Sequence, residues 1–270
     1  MKIIVITGAS DGIGAELARQ LAARHRAGVA LVLAARDEGR LAQVAAQCTA
    51  LGAQTLVVKT DVSVESDCRR LMALSAERFG RIDALINNAG ISAQALFGDV
   101  MPADLAWYEQ LMRINFWGSV WCTHAALPWL RQSRGSIVAV SSLAGLVGVP
   151  GRTAYSASKF AMAGFFEALR AELRVAGVSV TTAYPGVVAT SIRQHGLNAA
   201  GVAAGSSGLK EEGAMSVEAC ARLILQGMEK RQREVVMTAK GRLGRWLKLC
   251  APGLVEAMAL AALKDEVRPN

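Results

Sequence analysis

The sequence predicts an α/β protein: a doubly wound parallel sheet of about seven strands between two layers of helices. Three observations carry this expectation. Short Val/Ile/Leu runs alternate with amphipathic segments of helical length, as strands and crossover helices do. The runs are continuous, as expected for parallel strands buried on both faces. No proline- or serine-rich linker and no solenoid-period repeat divides the chain.

Taken in order, the apolar run Ile3–Ile6 ends in a glycine-rich turn and precedes the amphipathic stretch Ala15–Arg26. Ala30–Ala34 precedes Arg40–Ala50, Thr55–Val58 precedes Asp67–Arg78, and Ile82–Ile86 precedes one long helix over Leu105–Leu130. Ser136–Val140 leads to Tyr155–Val175, Ser179–Ala183 to the helix Val217–Met228, and Glu234–Met237 reads as the last strand. Residues 1–238 are thus expected to form one domain, with a substrate flap over about 190–216 and a basic amphipathic extension over 239–270. In that extension Leu243, Trp246, Leu247 and Cys250 share one helical face, with Arg245 and Lys248 opposite, a pattern that fits either an interfacial membrane helix or a lid packed on a neighbour.

A chain of 270 residues, 52% hydrophobic and 19% charged, has a globular composition that excludes disorder and collagen-like classes. The stretch from Leu249 to Leu263 is broken by Pro252 and Glu256 and falls short of the roughly 20 apolar residues of a spanning helix. The apolar run at Ile3–Ile6 is too short for a signal-peptide core of about 7–15 residues, so a cytoplasmic location is expected, with peripheral membrane contact through 239–270 as the variant reading. Five scattered cysteines and three isolated histidines predict neither a disulfide framework nor a metal site. The net charge of +8 is concentrated towards the carboxy terminus, and no nucleic-acid-binding motif accompanies it.

In a doubly wound sheet, ligands bind beyond the carboxyl ends of the strands. After the first strand stands Thr7-Gly8-Ala9-Ser10-Asp11-Gly12-Ile13-Gly14, where glycines let the backbone approach a pyrophosphate at the positive end of a helix. After the second, Ala35-Arg36 offers a guanidinium that can clamp a ribose 2′-phosphate and favours NADP(H) over NAD(H), although Asp11 opposes a third phosphate and Arg36 has Asp37 and Glu38 as alternative partners. Asp61-Val62 follows the third strand; Asp61 either accepts from an adenine amino group or caps the next helix with Ser63. Asn88-Ala89-Gly90 follows the fourth and either brings backbone close to a ribose or is only a turn. Beyond the fifth come Ser141-Ser142 and then Tyr155 and Lys159, four apart and therefore on one helical face, where an ammonium favours phenolate over a phenol of free pKa about 10.

Thr7-Gly8-x-x-x-Gly12-x-Gly14, Asn87-Asn88-Ala89-Gly90, Asn115, Ser142, Tyr155-x-x-x-Lys159 and Pro185-Gly186-x-x-x-Thr190 together resemble the motif set of the short-chain dehydrogenase/reductase family, in family order, over about residues 1–238. The resemblance implies a Rossmann-like fold and a catalytic tetrad. Tyr155 would be the general acid or base and Lys159 would lower its pKa and bind ribose hydroxyls. Ser142 would position the carbonyl, and Asn115 would hold a water linking Lys159 to solvent. It also implies that Pro185, Gly186, Val188 and Thr190 flank the nicotinamide. The function implied is hydride transfer between NADP(H) and a carbonyl or secondary alcohol. Leu143, Leu146, Val147 and Val149 suggest an apolar substrate face or plain core packing, and Ala35-Arg36, Ala154–Phe160 and the stretch 251–254 resemble lipid- and steroid-handling members, which implies a lipid-, steroid- or acyl-like substrate that His195 in the flap either touches or leaves for solvent. Aromatic residues Trp117, Trp121, Phe165 and Phe166 fall on the two helices that pair between subunits in this family, which fits a homodimer or homotetramer as well as plain core packing.

Overall fold

The computed structural model describes residues 1–207 and 212–263. Its elements run β1 (Lys2–Thr7), α1 (Gly12–His25), β2 (Val29–Ala35), α2 (Glu38–Ala50), β3 (Gln54–Lys59), α3 (Glu65–Phe79) and β4 (Ala84–Asn87). Then follow α4 (Ala106–Met112), α5 (Gly118–Ser133), β5 (Ser136–Val140), α6 (Thr153–Leu173), β6 (Ser179–Tyr184), α7 (Val217–Glu229), β7 (Glu234–Val236), α8 (Ala239–Cys250) and α9 (Pro252–Ala261). The strands form one sheet in the order β3-β2-β1-β4-β5-β6-β7, with every pairing parallel. The strand order reverses between β1 and β4, which opens a crevice at their carboxyl ends.

Alternation along each buried strand feeds two cores. Ile4 and Ile6 of β1 pack with Leu17 and Leu21 of α1, Leu41 of α2 and Ile224 of α7 on one face. Ile3 and Val5 join Leu71 of α3, Cys122 and Leu130 of α5, and Phe166 of α6 on the other. Both layers are needed because a parallel sheet leaves neither face to water.

One expected element is corrected. Leu105–Leu130 is not a single α-helix: the wider π-helical turn Arg113–Trp117 separates α4 from α5. This turn carries Asn115, whose side chain bonds both backbone groups of Ile91, a π-bulge being a common way to re-aim one residue. Gly118, just beyond it, lets Val62 approach so closely that a Cβ would lie 2.8 Å from the Val62 carbonyl oxygen.

The extension is two helices, and positions 264–270 lie outside the described residues. On α8, Arg245 pairs with Glu234, and Lys248 donates to the Leu146 carbonyl at 3.1 Å and sits over the Phe160 ring. The cations therefore tie α8 to the body, leaving Leu243, Trp246 and Leu249 exposed. No helix among the described residues is long and apolar enough to cross a membrane.

Candidate active site

A cavity of about 970 Å³ occupies the crevice at the strand ends. Its first wall is the turn after β1. Gly8 and Gly12 adopt φ of +66° and +52°, which glycine reaches at no steric cost. Asp11 caps α1 by accepting from the Gly12 amide at 2.7 Å, while the Ile13 and Gly14 amides of the first turn have no partner within the helix. Open amides at a helix amino terminus are suited to an anion. Ser10, Asp11, Gly12 and Ile13 line the cavity.

Thr7 and Gly14 stand behind that wall rather than on it. The Thr7 hydroxyl is buried and accepts from the Asn88 and Ala89 amides at 3.0 and 3.1 Å. The Asn88 side chain returns bonds to the Thr7 and Gly8 carbonyls, so these residues lock β1 to β4. A Cβ on Gly14 would lie 2.1 Å from the Gly8 carbonyl oxygen, so the helix can sit this close to the turn only as glycine.

At the end of β2, Arg36 is exposed on the cavity rim. Its neighbours are otherwise engaged: Asp37 pairs with Arg40 at 3.4 Å and Glu38 with Lys59 at 3.7 Å. Arg40 lines the same rim, so two guanidinium groups serve this corner where the sequence had pointed to one. Asp61 and Val62 lie beside it, and the Asp61 carboxylate accepts from both the amide and the hydroxyl of Ser63. Asp61 therefore ties down Ser63 locally, whereas the expected helix cap is absent: α3 begins after Val64 with no side-chain cap.

The floor comes from β5 and α6. Ser142 caps the short turn Leu143–Gly145, accepting from the Ala144 amide at 3.2 Å, and keeps its hydroxyl at the cavity. Tyr155 and Lys159 are adjacent on one face of α6, with the Lys159 Nζ 5.7 Å from the Tyr155 ring centre. Lys159 is buried and donates to the Val140 carbonyl at 3.0 Å; burial pulls its pKa below the ordinary lysine value, with Tyr155 opposing that shift and Arg152 adding to it. Gly90 brings the backbone here, since a Cβ at that position would lie 3.6 Å from Lys159 Nζ and 3.0 Å from Asn115 Oδ1.

Asn115 itself is not on the cavity. It is fully buried, bonding Ile91 through both amide atoms and Ser158 Oγ at 3.0 Å. The far wall holds Pro185, Gly186, Val188 and Thr190, with the Pro185 carbonyl accepting from the Leu143 amide. Of the four apolar residues after Ser142, Leu143 and Val149 reach the cavity and Leu146 and Val147 do not. His195 does reach it.

Sequence reading missed Arg152, Ala259 and Ala262, which line the cavity, while Arg193 and His195 line it from the expected flap. Arg152 was legible in principle only as a cation three residues before Tyr155; it caps α6 rather than lying within it. The alanines of α9 carried no such signal.

The family profile described as short chain dehydrogenase matches residues 2–200. An 11-beta-hydroxysteroid dehydrogenase A from Sesamum indicum is 38% identical over 261 residues, covering 94% of this chain and 73% of the relative. A short chain dehydrogenase/reductase from Burkholderia phymatum, solved in complex with NAD, superposes with a TM-score of 0.80 at 27% identity and 94% coverage of both chains. An alcohol dehydrogenase from the archaeon Thermococcus sibiricus, complexed with 5-hydroxy-NADP, gives a TM-score of 0.73 at 25% identity, covering 87% of this chain and 94% of that one.

Proposed function

The chain belongs to the short chain dehydrogenase family and is an oxidoreductase acting on CH–OH groups with NAD(P); we propose that it is NADP(H)-dependent and that its substrate is an apolar, lipid-, steroid- or acyl-like carbonyl or secondary alcohol. The observation that carries the catalytic part is the pairing of Tyr155 and Lys159 on one face of α6 at the cavity that Ser142 also lines. A bound nicotinamide supplies or accepts the hydride. Tyr155 gives its phenolic proton to the carbonyl oxygen in reduction and recovers it in oxidation. Ser142 hydrogen-bonds that oxygen and orients the carbonyl, and Lys159 sets a positive charge beside the phenol. Asn115 acts through position, fixing Ile91 and so the Asn88-Ala89-Gly90 turn.

The residues present fit such a nucleotide. The α1 amino terminus and its glycine turn suit the pyrophosphate, Arg36 with Arg40 the 2′-phosphate, and Asp61 with Val62 the adenine. Asn88, Ala89, Gly90 and Lys159 border the ribose corner, with Pro185, Gly186, Val188 and Thr190 on the nicotinamide side. The sesame relative is named as a hydroxysteroid dehydrogenase, and Leu143, Val149 and Ile192 give this cavity apolar contacts of the kind a lipid-like substrate needs.

Assembly as a homodimer or homotetramer is supported by the aromatic face of α5 and α6, where exposed Trp117 stacks on Trp121 at 5.8 Å and Phe116 meets Phe165 edge-on. We assign residues 1–238 to the catalytic domain and 239–270 to an extension that closes one side of the cavity through Ala259 and Ala262.

Purified Tyr155→Phe tests the catalytic reading. Its reduction of apolar ketones with NADPH should fall about 100-fold or more, the usual scale for losing a general acid. Binding of NADPH, followed by its fluorescence, should persist. Turnover at the wild-type rate would remove Tyr155 from the chemistry.

A further inference from the structure

We propose that Arg152 is a positioning residue for the acid–base tyrosine: its guanidinium, laid over the Tyr155 ring, favours the negative charge that the ring carries once its proton has left. This rests on the reading of Tyr155 given above. Arg152 is the capping residue just before α6, three positions ahead of Tyr155, and Lys159 follows Tyr155 by one helical turn. Two cations consequently flank one ring, with the Arg152 guanidinium carbon 4.3 Å from its centre and Lys159 Nζ at 5.7 Å.

The surroundings of Arg152 make its charge available. The residue is only 8% exposed and lines the cavity. Its Nε donates to the Ala93 carbonyl at 3.3 Å and its Nη2 to the Ser92 hydroxyl, and both acceptors are neutral. Among the described residues it forms no ion pair with a carboxylate. Burial lowers its proton affinity, Tyr155 works against that shift, and Arg193 from the segment after β6 adds to it. Among the described residues the charged groups set against this ring are cations, Arg152 before α6 and Lys159 on it, with Arg193 acting on Arg152 and His195 lining the same cavity.

A cation over an aromatic face is attracted by the ring's quadrupole, and more strongly by a phenolate, which adds a full negative charge. In reduction the Tyr155 O–H bond breaks, its electron pair stays on the phenolate oxygen, and the proton becomes the hydroxyl hydrogen of the product alcohol. The charge so formed lies between two fixed cations. Oxidation runs through the same phenolate as base.

Ionisation can be read without a substrate by ultraviolet difference titration of phenolate in the intact chain. Tyr155→Phe identifies the Tyr155 component among the three tyrosines, helped by Tyr184, which burial pushes up to about 12. Arg152→Gln removes the charge and keeps a donor for Ala93, and its Tyr155 midpoint should rise by about one pH unit or more. Arg152→Lys should stay close to wild type. Equal midpoints in wild type and Arg152→Gln, or equal shifts in the Gln and Lys variants, would overturn the proposal. If Arg152→Gln does not fold by circular dichroism, Arg152→Met is read in the same way; unfolding of both neutral variants would make Arg152 a structural bracket and also overturn it. Failure of the acid–base reading is seen separately, as undiminished turnover in Tyr155→Phe.

Discussion

The Arg40 guanidinium lies 3.8 Å from the Asp11 carboxylate, across the mouth of the crevice between α2 and the glycine turn. Asp11 also accepts from the Ser191 hydroxyl at 3.0 Å, so the acid that opposed a third phosphate in the sequence is already engaged. Exposed pairs of this kind add little stability, but they decide which charges face a ligand. At this corner Arg36 is left as a cation that no acid among the described residues engages. Arg36→Glu should therefore weaken NADPH binding by about 10- to 100-fold, the worth of a charge-assisted phosphate contact, and leave NADH nearly unaffected. Fluorescence titration with both nucleotides measures the ratio. A parallel loss for both, or none for either, would detach the 2′-phosphate from Arg36.

Thr7 and Gly14 separate scaffold from surface within one motif. Thr7→Val keeps the shape but leaves the Asn88 and Ala89 amides without their acceptor, at about 1–3 kcal/mol for each buried donor stranded. Denaturant unfolding should show a loss of at least about 1 kcal/mol. Gly14→Ala must push α1 away from Gly8, so it should lose nucleotide binding as well as stability. Nucleotide affinity unchanged in Gly14→Ala would mean that the turn relaxes without cost.

The layered fold was legible because continuous apolar runs and amphipathic segments each demand one environment, and all seven expected strands fall in the sheet. The motif residues were legible because their types are rare in combination. What escaped the sequence depended on three-dimensional neighbours. Asn115 reads as a polar group bound for solvent or water, yet the π-turn aims it at Ile91. Arg40 reads as an ordinary helix-start residue until α2 is packed beside α1. Ala259 and Ala262 reach the cavity only through the path of α9, which no local pattern records.

Alkaline stability should report on the core beneath α7. Burial pushes the Cys220 thiol from 9.0 up to about 12. The folded state thus holds its proton where the unfolded chain has lost it, so this contribution is complete below pH 9.0 and disappears as pH rises towards 12. Its slope approaches about 1.4 kcal/mol per pH unit in that window. In Cys220→Ala, stability measured by denaturant unfolding should start lower, because a buried sulfur is lost, and decline less steeply with pH. Parallel curves for the two proteins would show that the thiol ionises alike in both states.

The cations of α8 point to a last prediction. Arg245 and Lys248 bond Glu234 and the Leu146 carbonyl, and Lys240 and Arg242 are exposed on the same helix as Leu243, Trp246 and Leu249. Leu254 and Met258 of α9 are exposed as well, on the helix whose Ala259 lines the cavity. An apolar face edged by basic residues suits an anionic bilayer, to which each nearby cation contributes about 1 kcal/mol. The chain should therefore sediment with phosphatidylserine-containing vesicles at low salt, and less at high salt. Because burying one large apolar side chain is worth about 1.5–3 kcal/mol, Leu243→Ser with Trp246→Ser should lower partitioning about 100-fold or more while NADPH binding is retained. If the double variant sediments like wild type, this face is covered by something other than lipid; if wild type does not sediment at all, the extension serves the cavity alone.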